Sequence, residues 1–238
     1  MFKLTQSKTF ALPEVGDVLF RKNVRARRLT ISISRRGTVV TIPGFLSYAE
    51  AQRFVLSKKD WIISKQNAAP KAVVFSNSAP YTTRNSSLKL IPEARTNIFV
   101  KVEHGFINVR YPSNIEEASE LVQNAARNGI DLAFRMEAHA YLPLRLKELA
   151  HEKGLTYRKI SIRRTLTSWG SCSSVNNLNL SIYLMKLPNE LIDYIILHEL
   201  AHTKVKNHSA QFWSYLDSLM GQKSKLLAKQ LKGFRTGV

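Results

Sequence analysis

His198, Glu199, His202 and His208 lie in one short run, HELAHTKVKNHSAQFW, which holds three of the chain's six histidines. On a helix, His198 and His202 are ~400° and ~6 Å apart, so both imidazoles leave the same face one turn apart. Two nitrogens so placed can reach one zinc ion at ~2.1 Å. Glu199 is turned ~100° from His198, beside such an ion rather than bound to it, where a carboxylate can take a proton from water. Chance alone gives the pattern HExxH in a chain of this composition with a probability of roughly 0.01. The flanking Ile195, Ile196, Leu197, Leu200 and Ala201 predict a buried helix. Two histidines and a glutamate on such a helix are costly without a partner, and a metal supplies one.

A catalytic zinc takes three protein ligands and leaves a position open for water. No glutamate follows Glu199, so the downstream candidates are His208 and Asp217. On an unbroken helix His208 would lie ~240° around and ~9 Å beyond His202, facing away. Its use as third ligand therefore predicts that the helix ends near Lys204–Asn207 and the chain turns back. Asn207 is suited to a left-handed turn. Val205 stands where the pattern HExxHxxGxxH has glycine. The expected chemistry is hydrolysis by zinc-bound water with Glu199 as base and the metal polarising the carbonyl under attack. Arg164, Tyr183 and Tyr215 are candidate oxyanion donors. Cys172 is a weaker, fourth potential ligand and otherwise an inert thiol.

These residues must be positioned by the elements around them. The metal helix is expected within LPNELIDYIILHELAHTK, with Asn189 as N-cap, and two further helices over about Ser209–Met220 and Ser224–Lys232. Phe212 and Trp213 are read as anchors of the first of these. TYRKISIRRT and NNLNLSIYLM alternate like strands around the loop LTSWGSCSSV. In that loop Trp169 is expected in the core and Gly170 to supply backbone freedom. The strand Asn177–Met185 is expected to border the cleft and pair with extended substrate. Ile115 to about Gly154 reads as helical, interrupted at Gly129. Strands are expected at Ser87–Ile91, Ile98–Glu103 and Phe106–Tyr111, and within RLTISISRRGTVVTIP, turning at Gly37. A helix follows with Ser47 as N-cap. The composition shift near residue 112 divides a basic, β-rich domain, 1–112, from a hydrolase domain, 113–238. The fold class is α+β.

The charge is uneven. Of 36 Lys+Arg and 17 Asp+Glu, net +19, residues 1–112 carry net +13, and RKNVRARRLTISISRR alone holds seven cations. Such a field attracts polyanions, so nucleic acid is a candidate partner through the N-terminal half, beside a peptide or protein substrate. A single cysteine, Cys172, excludes an intramolecular disulfide and fits a reducing compartment. No apolar leader or run of ~18 apolar residues is present, which predicts a soluble, cytoplasmic protein without a membrane partner.

The run TSWGSCSSVNNLNLSIYLMKLPNELIDYIILHELAHTKVKNHSAQFW, with YLPLRLKELAHEKGLTYRKISIRRT before it, resembles the YgjP-like metallopeptidase family, distant relatives of the SprT and WLM zincins. RRLTISISRRGTVVTIP and WIISKQ resemble its N-terminal segment more loosely. The resemblance implies a zincin-like C-terminal domain, with His198, His202 and His208 as zinc ligands and Glu199 as catalytic base. Ser168 departs from the arginine common at that position. Three functions compete: a zinc-dependent metallopeptidase, a metal-dependent nucleoside-triphosphate pyrophosphohydrolase, and a non-catalytic nucleic-acid-binding module with structural zinc. Against the second, the chain has no GxxxxGK[ST] loop and no carboxylate cluster suited to Mg²⁺.

Overall fold

The computed structural model describes residues 7–34, 37–68, 73–221 and 223–237, and the chain divides into two compact units, Met1–Val73 and Val74–Val238. In the first, strands β1 (Ser7–Leu12), β2 (Gly16–Asn23), β3 (Thr30–Ser34) and β4 (Gly37–Pro43) form one sheet in the order β1-β2-β4-β3. β2 and β4 are parallel and the other pairs antiparallel. Arg35 and Arg36 of the expected turn lie outside the described residues. Val18, Phe20, Val40 and Ile42 point to one face, and helices α1 (Tyr48–Ser57) and α2 (Lys59–Ala68) cover it with Ala51, Val55 and Ile62. Ser47 caps α1 as expected: its hydroxyl accepts from Glu50 N, and Glu50 Oε2 accepts from Ser47 N at 2.8 Å.

In the second unit, β5 (Ser87–Glu93), β6 (Phe99–Glu103) and β7 (Phe106–Pro112) form a sheet in the order β5-β7-β6. It packs on α3 (Glu120–Glu152), whose buried Val122, Ala126, Ile130, Phe134, Ala138, Leu142, Leu146 and Leu149 recur at helical spacing. The sequence shift at residue 112 is thus a change from strand to helix inside this unit, because β5–β7 and α3 share one core. Gly129 does not interrupt α3. A Cβ there would sit 2.7 Å from Ile107 Cγ2 and 3.0 Å from Val100 Cγ1, so the glycine lets the helix lie close on β6 and β7.

A third sheet follows, in which β10 (Asn177–Ser181) lies between β8 (Lys159–Arg163), parallel, and β9 (Gly170–Cys172), antiparallel. The expected strand to Met185 ends at Ser181 and becomes a 3₁₀ turn, Ile182–Lys186. α4 (Asn189–Ala201) is apolar almost all round and is buried accordingly, followed by α5 (Ala210–Met220) and α6 (Ser224–Leu231). Pro188, not Asn189, is the N-cap of α4. The Asn189 amide oxygen instead accepts from Arg84 Nη1 at 2.8 Å, while the same guanidinium donates to the carbonyls of Met185 and Leu187. Arg145 holds Asp193 bidentately at 2.7 and 2.6 Å, fixing α4 to α3. The architecture is mixed α+β, and no described helix is long and apolar enough to cross a membrane.

Candidate metal centre

α4 carries His198 and Glu199 in its last turn and ends at Ala201, with His202 as C-cap. The reversal begins sooner than expected. Thr203 N and Lys204 N reach back to the carbonyls of Leu200 and Ala201 in tight turns, and Asn207 is not left-handed. Lys206 pins the reversal: its ammonium donates to Ser173 O at 3.0 Å and to the Asn176 amide oxygen, in the turn between β9 and β10. The chain then enters α5 through His208 and Ser209.

This reversal brings His208 back to the other two histidines. Its Nε2 lies 3.0 Å from His198 Nε2 and 3.1 Å from His202 Nε2, and one ring nitrogen from each residue falls within 4.8 Å of the others. His202 Nδ1 lies 2.9 Å from Val205 O. A carbonyl only accepts, so Nδ1 carries the ring proton and Nε2 presents a lone pair. Burial, with the neighbouring His202 and His208, holds the His198 pKa down to about 3, and burial lowers His202 too. Both are therefore neutral near pH 7, the form that binds a metal. Ligand nitrogens ~2.1 Å from a tetrahedral ion stand ~3.4 Å apart, so this set is nearly at metal spacing. His198 Nδ1 is buried with no partner among the described residues.

Phe212 forms the floor. It is fully buried, stacks on His202 at 4.3 Å between centroids, and meets His198 and His208 edge-on at 4.9 Å. Trp213 lies 6.1 and 6.0 Å from the His198 and His208 rings. The sequence marks both only as anchors of α5. The available signal was Phe212 one helical turn after His208.

Glu199 is 6% exposed, and burial alone raises its pKa to about 7. Its neighbour is Gly170 of β9, where a Cβ would sit 2.8 Å from Glu199 Cγ and Oε1 and 3.0 Å from Cδ. The φ of Gly170 is not left-handed, so this glycine supplies room for the carboxylate, not backbone freedom. Trp169 is half-buried against the core as expected, its carbonyl accepting from Ser181 N.

Several of the other candidates have partners elsewhere. Tyr183 donates its hydroxyl proton to Asp131 Oδ1 at 2.7 Å and Arg164 Nε donates to Asp131 Oδ2 at 2.5 Å, which ties both side chains to α3. Tyr215 packs half-buried against the core. Asp217 accepts from Ser224 N at the start of α6. Cys172 lies outside the histidine group, near Lys206, its thiol pushed up chiefly by burial. β10 is the middle strand of its sheet, so it cannot take up substrate; the edge strand beside Glu199 is β9.

The family model described as YgjP-like, metallopeptidase domain, matches residues 27–233. Among solved structures, the metallopeptidase zymogen of Pyrococcus abyssi abylysin is 24% identical over 40% of this chain and 96% of its own, with a TM-score of 0.34. The zymogen of Methanocaldococcus jannaschii jannalysin is 26% identical over 37% and 92%, with a TM-score of 0.32. No curated protein matches the chain.

Proposed function

We propose, from the premise that this chain belongs to the YgjP-like metallopeptidase family, that it is a zinc-dependent peptidase of zincin type, with His198, His202 and His208 as ligands and Glu199 as general base. The observation that carries this reading is the convergence of three Nε2 atoms at the end of a helix whose adjoining residue, Glu199, has a buried carboxylate with no hydrogen-bond partner among the described residues. Three imidazole ligands, with no carboxylate or thiolate among them, would leave the ion's full charge and a fourth position, as a catalytic zinc requires. Bound there, zinc would supply the Lewis acidity that makes water nucleophilic near neutral pH and polarises a carbonyl. Glu199 takes the proton from the attacking water on a carboxylate oxygen and delivers it to the departing amine. Its poor solvation favours that uptake. The outer edge of β9 offers backbone donors and acceptors beside Glu199, and an extended peptide pairing there would bring its carbonyl to the site.

The test is Glu199→Gln. It is expected to keep one zinc per chain by elemental analysis and to lose at least ~10³-fold in cleavage of casein or a quenched peptide. Purified wild type without metal, or a Glu199→Gln variant that cuts at the wild-type rate, overturns the reading. Hydrolysis of UTP by wild type, with no peptide cleavage, would favour the phosphohydrolase instead.

A further inference from the structure

We propose that the first unit is a docking site for single-stranded nucleic acid, built at one end of its sheet. Residues 1–73 hold 14 cations and 4 acidic residues, net +10, and no acidic residue occurs between Asp17 and Glu50. The strand register gathers that charge. Asn23 pairs with Pro43 and Thr30 with Thr41, so the connection from β2 to β3 and the connection from β4 to α1 leave the same end of the sheet. The two touch: a Cβ on Gly44 would meet Val24 Cγ1 at 3.5 Å.

Five cations serve this end. Arg25, Arg27 and Arg28 are exposed on the first connection, and Lys22 and Lys8 lie 5.3 and 5.4 Å from the Tyr48 ring. None of the five makes an ion pair among the described residues. Within the cluster stands Phe45, 77% exposed, with Val24 at 67% beside it. A ring so exposed gains nothing from the core, whereas an unstacked base can lie on it while guanidinium groups track the phosphates. A duplex keeps its bases from such a ring. Bilayer insertion draws on apolar area, and the strongly exposed apolar groups described at this end, Phe45 and Val24, are few against five cations. The balance favours a phosphate chain with accessible bases.

The experiment is fluorescence anisotropy of the full chain with labelled 15-mers of dT and of U, from 50 to 200 mM salt. Neutralising about five phosphates predicts a log–log salt slope near −3.5. Phe45→Ala is expected to weaken binding about tenfold with the slope unchanged. Arg25→Gln/Arg27→Gln/Arg28→Gln should flatten the slope by about 2. All four positions are exposed, and circular dichroism checks the fold. Binding of either oligomer with these responses supports the site. No binding at 50 mM salt, an unchanged affinity for Phe45→Ala, equal affinity for a duplex, or binding to phosphatidylserine vesicles alone overturns it. Neither zinc nor peptide cleavage enters the readout, so this result stands apart from the fate of the peptidase reading.

Discussion

Gly170→Ala tests whether Glu199 works from the place it occupies. The added methyl would sit 2.8 Å from Glu199 Cγ and Oε1, well inside contact distance. Gly170 is held in β9 by its register with Leu180, so its backbone cannot retreat without loosening the sheet. The carboxylate is the mobile partner, and it must swing by roughly an ångström, because carbon–carbon contacts settle at ~3.5–4.0 Å. A general base contributes ~10²–10⁴-fold, and an ångström's misplacement costs ~10²-fold. The expected loss in kcat/KM is therefore about 10²-fold. Stability should fall by ~1–3 kcal/mol, the usual cost of an extra methyl in a packed place.

The histidine rings meet Phe212 and Trp213 of α5, and the nearest atoms to the added methyl all belong to Glu199, so the zinc content of Gly170→Ala should stay at one per chain. That separates a displaced base from a damaged metal site. Peptide cleavage and elemental analysis on the same sample read both. In a Glu199→Gln background the methyl has no base to displace, so it should cost little further activity, a coupling that a double-mutant cycle measures. A Gly170→Ala enzyme within twofold of wild type would refute the argument, as would loss of zinc or full additivity with Glu199→Gln.

Two further outcomes follow from buried groups. The folded Glu199 pKa of about 7 lies above its ordinary 4.5, so its contribution to stability is whole below pH 4.5 and is lost as pH rises through 7. In chelator-treated protein, Glu199→Gln should match wild type in urea unfolding near pH 4 and exceed it by up to ~3 kcal/mol at pH 8; an equal gap at both would sink the assignment. Gly129→Ala adds a better helix former to α3 but drives a methyl to 2.7 Å from Ile107 Cγ2. Overpacking outweighs the ~1 kcal/mol of helix propensity, so a net loss of ~1–2 kcal/mol is expected in thermal melts, and a gain would show that the sheet yields.

What the sequence made legible was whatever depends on local spacing. The i, i+4 pair His198 and His202, the N-cap at Ser47 and the alternation in β3, β4 and β7 all follow from periodicity and neighbouring residues, and each stands where expected. His208 is legible as the one imidazole downstream of His202, and its use as a ligand requires the chain to turn back. The need for a reversal was legible. Its construction was not, because Lys206 holds it through Ser173 and Asn176, some thirty residues earlier in the chain.

The two glycines expose the limit most clearly. Gly129 and Gly170 read as an interruption and as a flexible point, since a residue without a side chain carries no periodicity from which to infer a neighbour. Both instead mark places where another group comes too close for a Cβ, a β-sheet in one case and the Glu199 carboxylate in the other. Such contacts join segments more than twenty residues apart and leave no trace in local pattern. The same holds for Asp131, whose carboxylate on α3 engages both Tyr183 and Arg164, two side chains the sequence left free to serve as oxyanion donors. What the fold does set against the Glu199 carboxylate is Gly170 of β9, so the short edge strand whose glycine read as a flexible point is the one that shapes the room around the buried carboxylate.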